Sequence, residues 1–160
     1  MTPSQLSALK TAIFASQDAA VITARNALND TEIARLYNLP STFIAWRTSV
    51  KRTDAMSTGF DWAQVDNLTT GQGRIWDWMF DTVDRTINPG DQSIRDGITE
   101  CWKGTVAKVA NATFIFTKCK RTLSEGEKVF ATGTGTTVTP GVIGWEGTVS
   151  AQDASDALRI

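Results

Sequence analysis

"VFATGTGTTVTPGVIGWEGTVS" (Val129–Ser150) decides how the rest of this chain is read. Its first half alternates Gly and Thr up to Pro140-Gly141, and its second half alternates apolar residues with Gly and polar ones. Glu146 is its only charge. A phosphate-cradling loop fails on spacing. Gly133-Thr134-Gly135-Thr136-Thr137-Val138 puts Val where a dinucleotide fingerprint needs its last glycine, and no Gly-Lys-Ser/Thr follows. A flexible linker fails on pattern. Ile143, Trp145, Gly147 and Val149 share one side of an extended chain, and Val142, Gly144, Glu146 and Thr148 share the other. A spacer has no use for Ile and Trp in register. Thr139-Pro140-Gly141 suits a type II turn, with Pro second and Gly third. The expectation is therefore an extended, β-hairpin-like arm over residues 132–149. An isolated hairpin is marginal in water, so the arm needs a surface. Thr134, Thr136, Pro140, Ile143, Trp145 and Val149 are the side chains expected to meet it, on the chain's own body or on a partner.

Upstream, residues 1–131 read as a helical body. Thr2-Pro3-Ser4-Gln5 is a capping box with Pro at the first helical position. Leu6, Leu9, Ile13 and Phe14 follow at helical spacing. Further short helices are expected from about Asp18 to Asn26 and from about Asp30 to Tyr37, the latter stopped by Pro40. Thr42–Val50 is rich in β-branched and aromatic residues, which fits a strand or a buried irregular connector. Residues 51–59 read as loop or weak helix, and Asp61 caps a short turn carrying Trp62. Ile75, Trp76, Met79, Phe80 and Val83 give the strongest helical face, closed by Asn88-Pro89-Gly90. Asp91 opens the next helix, Gly104 breaks it, and another is expected from about Thr105 to Lys120. Thr122-Leu123-Ser124-Glu125 suggests a capping box for a last turn or two. Downstream of the arm, Ser150-Ala151-Gln152-Asp153 caps a short helix within residues 150–160. The fold class expected is mainly α: a helical bundle body, a β-hairpin-like arm and a short C-terminal helix.

Composition narrows the function. The chain has 160 residues, two cysteines and no histidine. Lack of His removes every His-based triad and metal cluster, and two thiols need further ligands to hold zinc. The chain is read as a non-enzyme, with no catalytic, cofactor or metal residues. The thiols suit reduced core positions of a cytosolic protein. No apolar run approaches the ~20 residues of a membrane span, and MTPSQLSALK lacks the order of a secretory signal.

Net charge is −1, which argues against binding nucleic acid over the whole surface. The charge is segregated, however. Asp77, Asp81, Asp84, Asp91, Asp96 and Glu100 face only Arg85 and Arg95 in residues 77–100, a net of −4. Lys103, Lys108, Lys118, Lys120, Arg121 and Lys128 face only Glu125 and Glu127 in residues 103–128, a net of +4. Two solvated faces would carry this pattern. So would a self-complementary surface, one subunit's acidic side meeting its neighbour's basic side. Within the basic run, Lys118-Cys119-Lys120-Arg121 reads as a solvated helix end near the C-terminal dipole, or as a weak nucleic-acid patch. Trp78 stands about 200° around its helix from Trp76, so both cannot face one core. One of the pair is expected to reach another element or another subunit.

"AWRTSV" (Ala45–Val50), "FDWAQVDNLTTGQGRIWDWMF" (Phe60–Phe80) and "EKVFATGTGTTVTPGVIGWEGTVSAQDAS" (Glu127–Ser155) resemble a family of small virion proteins of tailed bacteriophages and prophages. The resemblance covers most of the chain, and the E-K-x-F-A-T-G-T-G-T run is its most specific part. It implies a head–tail connector, or adaptor, forming a ring at the neck below the portal, of about twelve copies by analogy with portals. It implies contacts with the portal and with tail or neck proteins, possible contact with DNA in the central channel, and assembly in the host cytoplasm. A capsid decoration or head-completion protein, or a DNA-packaging accessory, are the alternatives.

Overall fold

The computed structural model describes residues 1–160. α1 (Pro3–Ala15), α2 (Ala19–Asn26) and α3 (Asp30–Tyr37) lead into β1 (Pro40–Trp46). β2 (Val50–Lys51), α4 (Arg52–Ala55), a 3-10 turn (Trp62–Gln64) and α5 (Thr70–Met79) follow. Next come β3 (Thr86–Ile87), α6 (Gln92–Cys101) and α7 (Val106–Lys118). β4 (Lys120–Ser124), α8 (Glu125–Val129), β5 (Gly141–Val142) and α9 (Ala151–Arg159) end the chain. One sheet has the order β4-β1-β5, and a second pairs β2 with β3. The chain divides into two compact units: Met1–Ala45 with Thr122–Ile160, and Trp46–Arg121.

The fold is mixed α/β, which corrects the expected helical bundle with a hairpin arm. Two segments make the difference. Residues 120–124, expected to end one helix and cap another, form β4 instead. The capping box starts two residues later than expected. Ser124 Oγ accepts from the Glu127 N–H at 3.1 Å, and the Glu127 carboxylate accepts from the Ser124 N–H at 3.1 Å. Thr122 thus keeps its β preference. Residues 132–149 do not form a two-limbed hairpin either. Their pairing is a single antiparallel bridge, Thr132 with Val142, closed by two N–H to C=O bonds of 2.9 Å. The reason lies in the glycines: Gly135 sits at φ 67°, which turns the backbone out of an extended path. Its carbonyl instead accepts from the Ile44 N–H of β1 at 2.8 Å.

In the first unit, α9 packs on α1 and α3. Ala154 and Ala157 are its fully buried residues, small enough for close approach, and they meet a core containing Leu9, Ile13 and Ile33. Local chemistry sets the helix starts. Thr2 with Gln5 and Ser150 with Asp153 form reciprocal capping boxes, and Asp18 accepts from the N–H groups of Ala20 and Val21. α3 spans Asp30–Tyr37 as expected, with Asn29 as its cap.

The second unit is built on aromatic edges. Trp102 contacts Trp76 at 5.4 Å and 84°, and Phe60 at 5.2 Å and 87°. Trp76 contacts Phe80 at 5.0 Å and 69°. These edge-to-face pairs suit the ring quadrupole. α5 and α6 approach closely because Gly97 faces the Met79 thioether. The unit's two ends are tied by the Arg47 N–H donating to the Cys119 carbonyl at 2.8 Å.

Cys101 and Cys119 are both fully buried in this core. Burial pushes both thiols up to about 12, assisted at Cys101 by Glu100 and Asp77 and opposed at Cys119 by Arg47 and Lys120. Thiolate is the reactive form. At about pH 8 the native protein is therefore expected to leave a disulfide thiol reagent unconsumed, while denaturant releases both cysteines to it. The same shift has a stability consequence with a definite sign. The folded values lie above the ordinary value of 9.0, so the contribution is complete below that pH and is lost as pH climbs from there toward about 12. Unfolding midpoints measured across that window check the slope.

Candidate interaction surface

The arm residues lie on the chain's own first unit. Val149 is 3% exposed, and the Asn38 side chain brackets it. Its amide donates to the Val149 carbonyl at 2.8 Å, and its carbonyl accepts from the Val149 N–H at 2.8 Å. Trp145 is half-buried against Phe130 at 5.3 Å and 66°. Ile143 and Pro140 are half-buried too, while Gly135 and Gly141 are buried under the Phe43 ring. Thr134 and Thr136 remain exposed, but their hydroxyls are used within the loop. Thr134 Oγ1 donates to the Thr139 carbonyl at 2.9 Å, and Thr136 Oγ1 accepts from the Thr139 N–H at 2.9 Å. The residue this loop presents is Val138, 89% exposed. Sequence reasoning misses it because it falls outside the alternating register of Ile143, Trp145 and Val149.

The cations named from sequence do not converge. Lys118 ends α7 and lies over the Phe114 ring at 4.9 Å. Lys120 lies over Trp46 at 5.1 Å, as does Arg95 from α6. Lys120 and Arg121 are consecutive on β4, so their side chains leave opposite faces of the strand. Elsewhere in the basic run, Lys108 is buried and donates to Gln72 Oε1 at 3.3 Å. Lys103 pairs with Glu100 at 2.5 Å and Lys128 with Glu125 at 3.1 Å. The +4 count in the sequence is thus spread over several environments.

The acidic segment is different, and it belongs to the second unit. Trp76 is 2% exposed and Trp78 is 68% exposed, the separation that two positions on one helix demand. Asp77 and Asp81 are exposed beside Trp78, and Asp84 is exposed further along the chain. Trp62 is 60% exposed on its 3-10 turn, and Val83 is fully exposed. No periodicity marks Trp62 as exposed: it sits on a three-residue turn capped by Asp61.

Two grooves run along this face. One, of about 740 Å³, has Met56, Trp62 and Val65 as its apolar lining and Lys51, Arg52, Asp84 and Arg85 around it. The other, of about 280 Å³, is lined by Asp77, Trp78, Phe80 and Asp81, again with Arg52 and Arg85. The two arginines therefore form the ridge shared by both. Arg52 is held in place by Asp77 at 2.8 Å and by the Phe80 ring at 5.9 Å. Arg85 lies at φ 50°, a left-handed conformation uncommon outside Gly, Asn and Asp. β2 and β3 bring the ridge together through the antiparallel register Val50 with Ile87 and Lys51 with Thr86.

No group of three or more His, Cys, Asp or Glu side chains comes together in a way that could hold a metal ion. No helix is long and apolar enough to cross a membrane. Compared with family models, curated proteins and solved structures, the chain has no match.

Proposed function

We propose that this chain is a structural protein of a tailed-bacteriophage virion, a head–tail connector that forms a ring of about twelve copies at the neck below the portal. The resemblance of Ala45–Val50, Phe60–Phe80 and Glu127–Ser155 to such virion proteins motivates the reading. The observation that carries it is the second unit's exposed face, where Trp62 and Trp78 stand 60% and 68% open beside unpaired charges. Trp is among the residues that dominate the centres of protein interfaces. A protein whose work is assembly keeps such side chains outside its own core. In this reading the portal and the tail or neck proteins are its partners, DNA passes along the ring axis, and assembly takes place in the host cytoplasm.

The test is cryo-electron microscopy of the particle with the protein's copy number measured by quantitative mass spectrometry. About twelve copies, located at the neck, are expected. Hundreds of copies on the shell would make it a capsid decoration protein. Absence from purified particles would remove the virion reading altogether. Deleting residues 132–148 is not a clean test, because Trp145 packs within the first unit's core.

A further inference from the structure

We propose that a second copy of this chain docks on the Trp62–Trp78 face through a two-fold contact, Trp78 of each copy entering the groove beside Trp62 of the other. The larger groove has an apolar floor of Met56 and Val65. Its rim carries Lys51, Arg52 and Arg85 against one acid, Asp84. Such a site takes a segment that is both aromatic and acidic. About 740 Å³ falls within the range of pockets that bury small ligands, ample for an indole.

This chain displays a segment of that chemistry. Between Asp77 and Asp84 it exposes Trp78 and Val83 with Asp77, Asp81 and Asp84. Receptor and ligand are neighbours on one unit, because Arg52 and Arg85 line both grooves. A patch that holds both halves of a complementary pair is satisfied on both sides by a two-fold axis. Charge decides for a second copy. Arg85 is exposed and has no ion pair within its own chain, and neither have Asp81 and Asp84. Across the axis Arg85 of one copy reaches Asp84 of the other, and the reverse, so these two charges of each copy are matched in one contact.

The inference goes beyond the assembly reading above and does not depend on the neck. A two-fold contact pairs copies, and a ring needs a further head-to-tail contact. Failure of one reading therefore leaves the other standing.

Sedimentation equilibrium of the full chain over a wide concentration range tests it. The wild-type protein is expected to show a monomer–dimer equilibrium. At concentrations where both are monomeric, W78A should melt as wild type does, because it removes an exposed side chain, while its dimer dissociation constant rises about 30-fold or more. Charge reversal gives a sharper readout. R85D sets a second carboxylate opposite the partner's Asp84. D84R sets a second guanidinium opposite the partner's Arg85. Each variant alone should therefore be monomeric. Mixed in equal amounts, the two should pair, because both cross-axis contacts are then opposite in sign. Asp tolerates the left-handed conformation at position 85. A wild-type chain that stays monomeric at all concentrations overturns the proposal and leaves the face to a different protein. So does undiminished dimerisation of W78A, or a mixture that fails to pair.

Discussion

Replacing Trp102 by alanine is expected to destabilise the protein by about 3–5 kcal/mol. The side chain is fully buried, and its ring edges meet both Trp76 and Phe60. Two further aromatic rings, Phe80 and Phe114, reach Trp76 and Phe60 in turn. Truncation leaves a cavity that such rings cannot refill without leaving their rotamers. A loss of this size is a large share of a domain's whole stability. It should fall on the unfolding transition of the second unit, read by urea denaturation with far-UV circular dichroism. Trp102→Phe provides the comparison. The indole N–H of Trp102 is buried without an acceptor, and so is that of Trp76. Phe keeps a ring in place and deletes an unsatisfied donor, so its loss should be well below that of alanine. Equal losses for Ala and Phe would sink the account of this core as an edge-to-face cluster.

Gly141→Ala is expected to cost about 2–3 kcal/mol through overpacking. An added Cβ would lie 2.5 Å from the Thr132 carbonyl oxygen and against the Phe43 ring. That carbonyl is not free to retreat, because it accepts the Val142 N–H at 2.9 Å. The matched control is Gly73→Ala in α5, where nothing lies within 4 Å of the new methyl. There the change should stabilise by up to about 1 kcal/mol, since Ala loses less entropy in a helix. Thermal melts of the two variants should therefore move in opposite directions. An unshifted melt for Gly141→Ala would mean that residues 132–142 are not held on β1.

Features set by neighbours in sequence were legible, and those set by distant partners were not. The capping residues Thr2, Asp18 and Ser150 act on backbone N–H groups two or three positions away, so their motifs locate the helix starts. The angle between Trp76 and Trp78 is likewise a property of helical geometry rather than of tertiary contact, and it separates core from surface. β4 is hidden in the sequence because Thr122 and Ser124 both satisfy a capping template, and only pairing with β1 selects the strand. The side chain that holds Val149 is Asn38, 111 positions away, which no periodicity reveals. The groove beside Trp62 depends on β2 and β3, strands of two residues each, too short to leave an alternating pattern. The arm shows both sides at once. Alternation identified Trp145 and Val149 as buried-type residues, but the surface that buries them is a fact of the fold.

The bond between Arg47 and Cys119 has a consequence for how such a chain can change. The second unit begins and ends within one hydrogen bond of itself, so it is a cassette with adjoining termini. Joining residues on either side of such a pair closes only a short loop, whose entropy is small. Insertion, loss or exchange of residues 47–119 then leaves β1 and β4 the same length and in the same order. A lineage can renew the face that carries Trp62 and Trp78 wholesale, without touching the helices α1, α3 and α9.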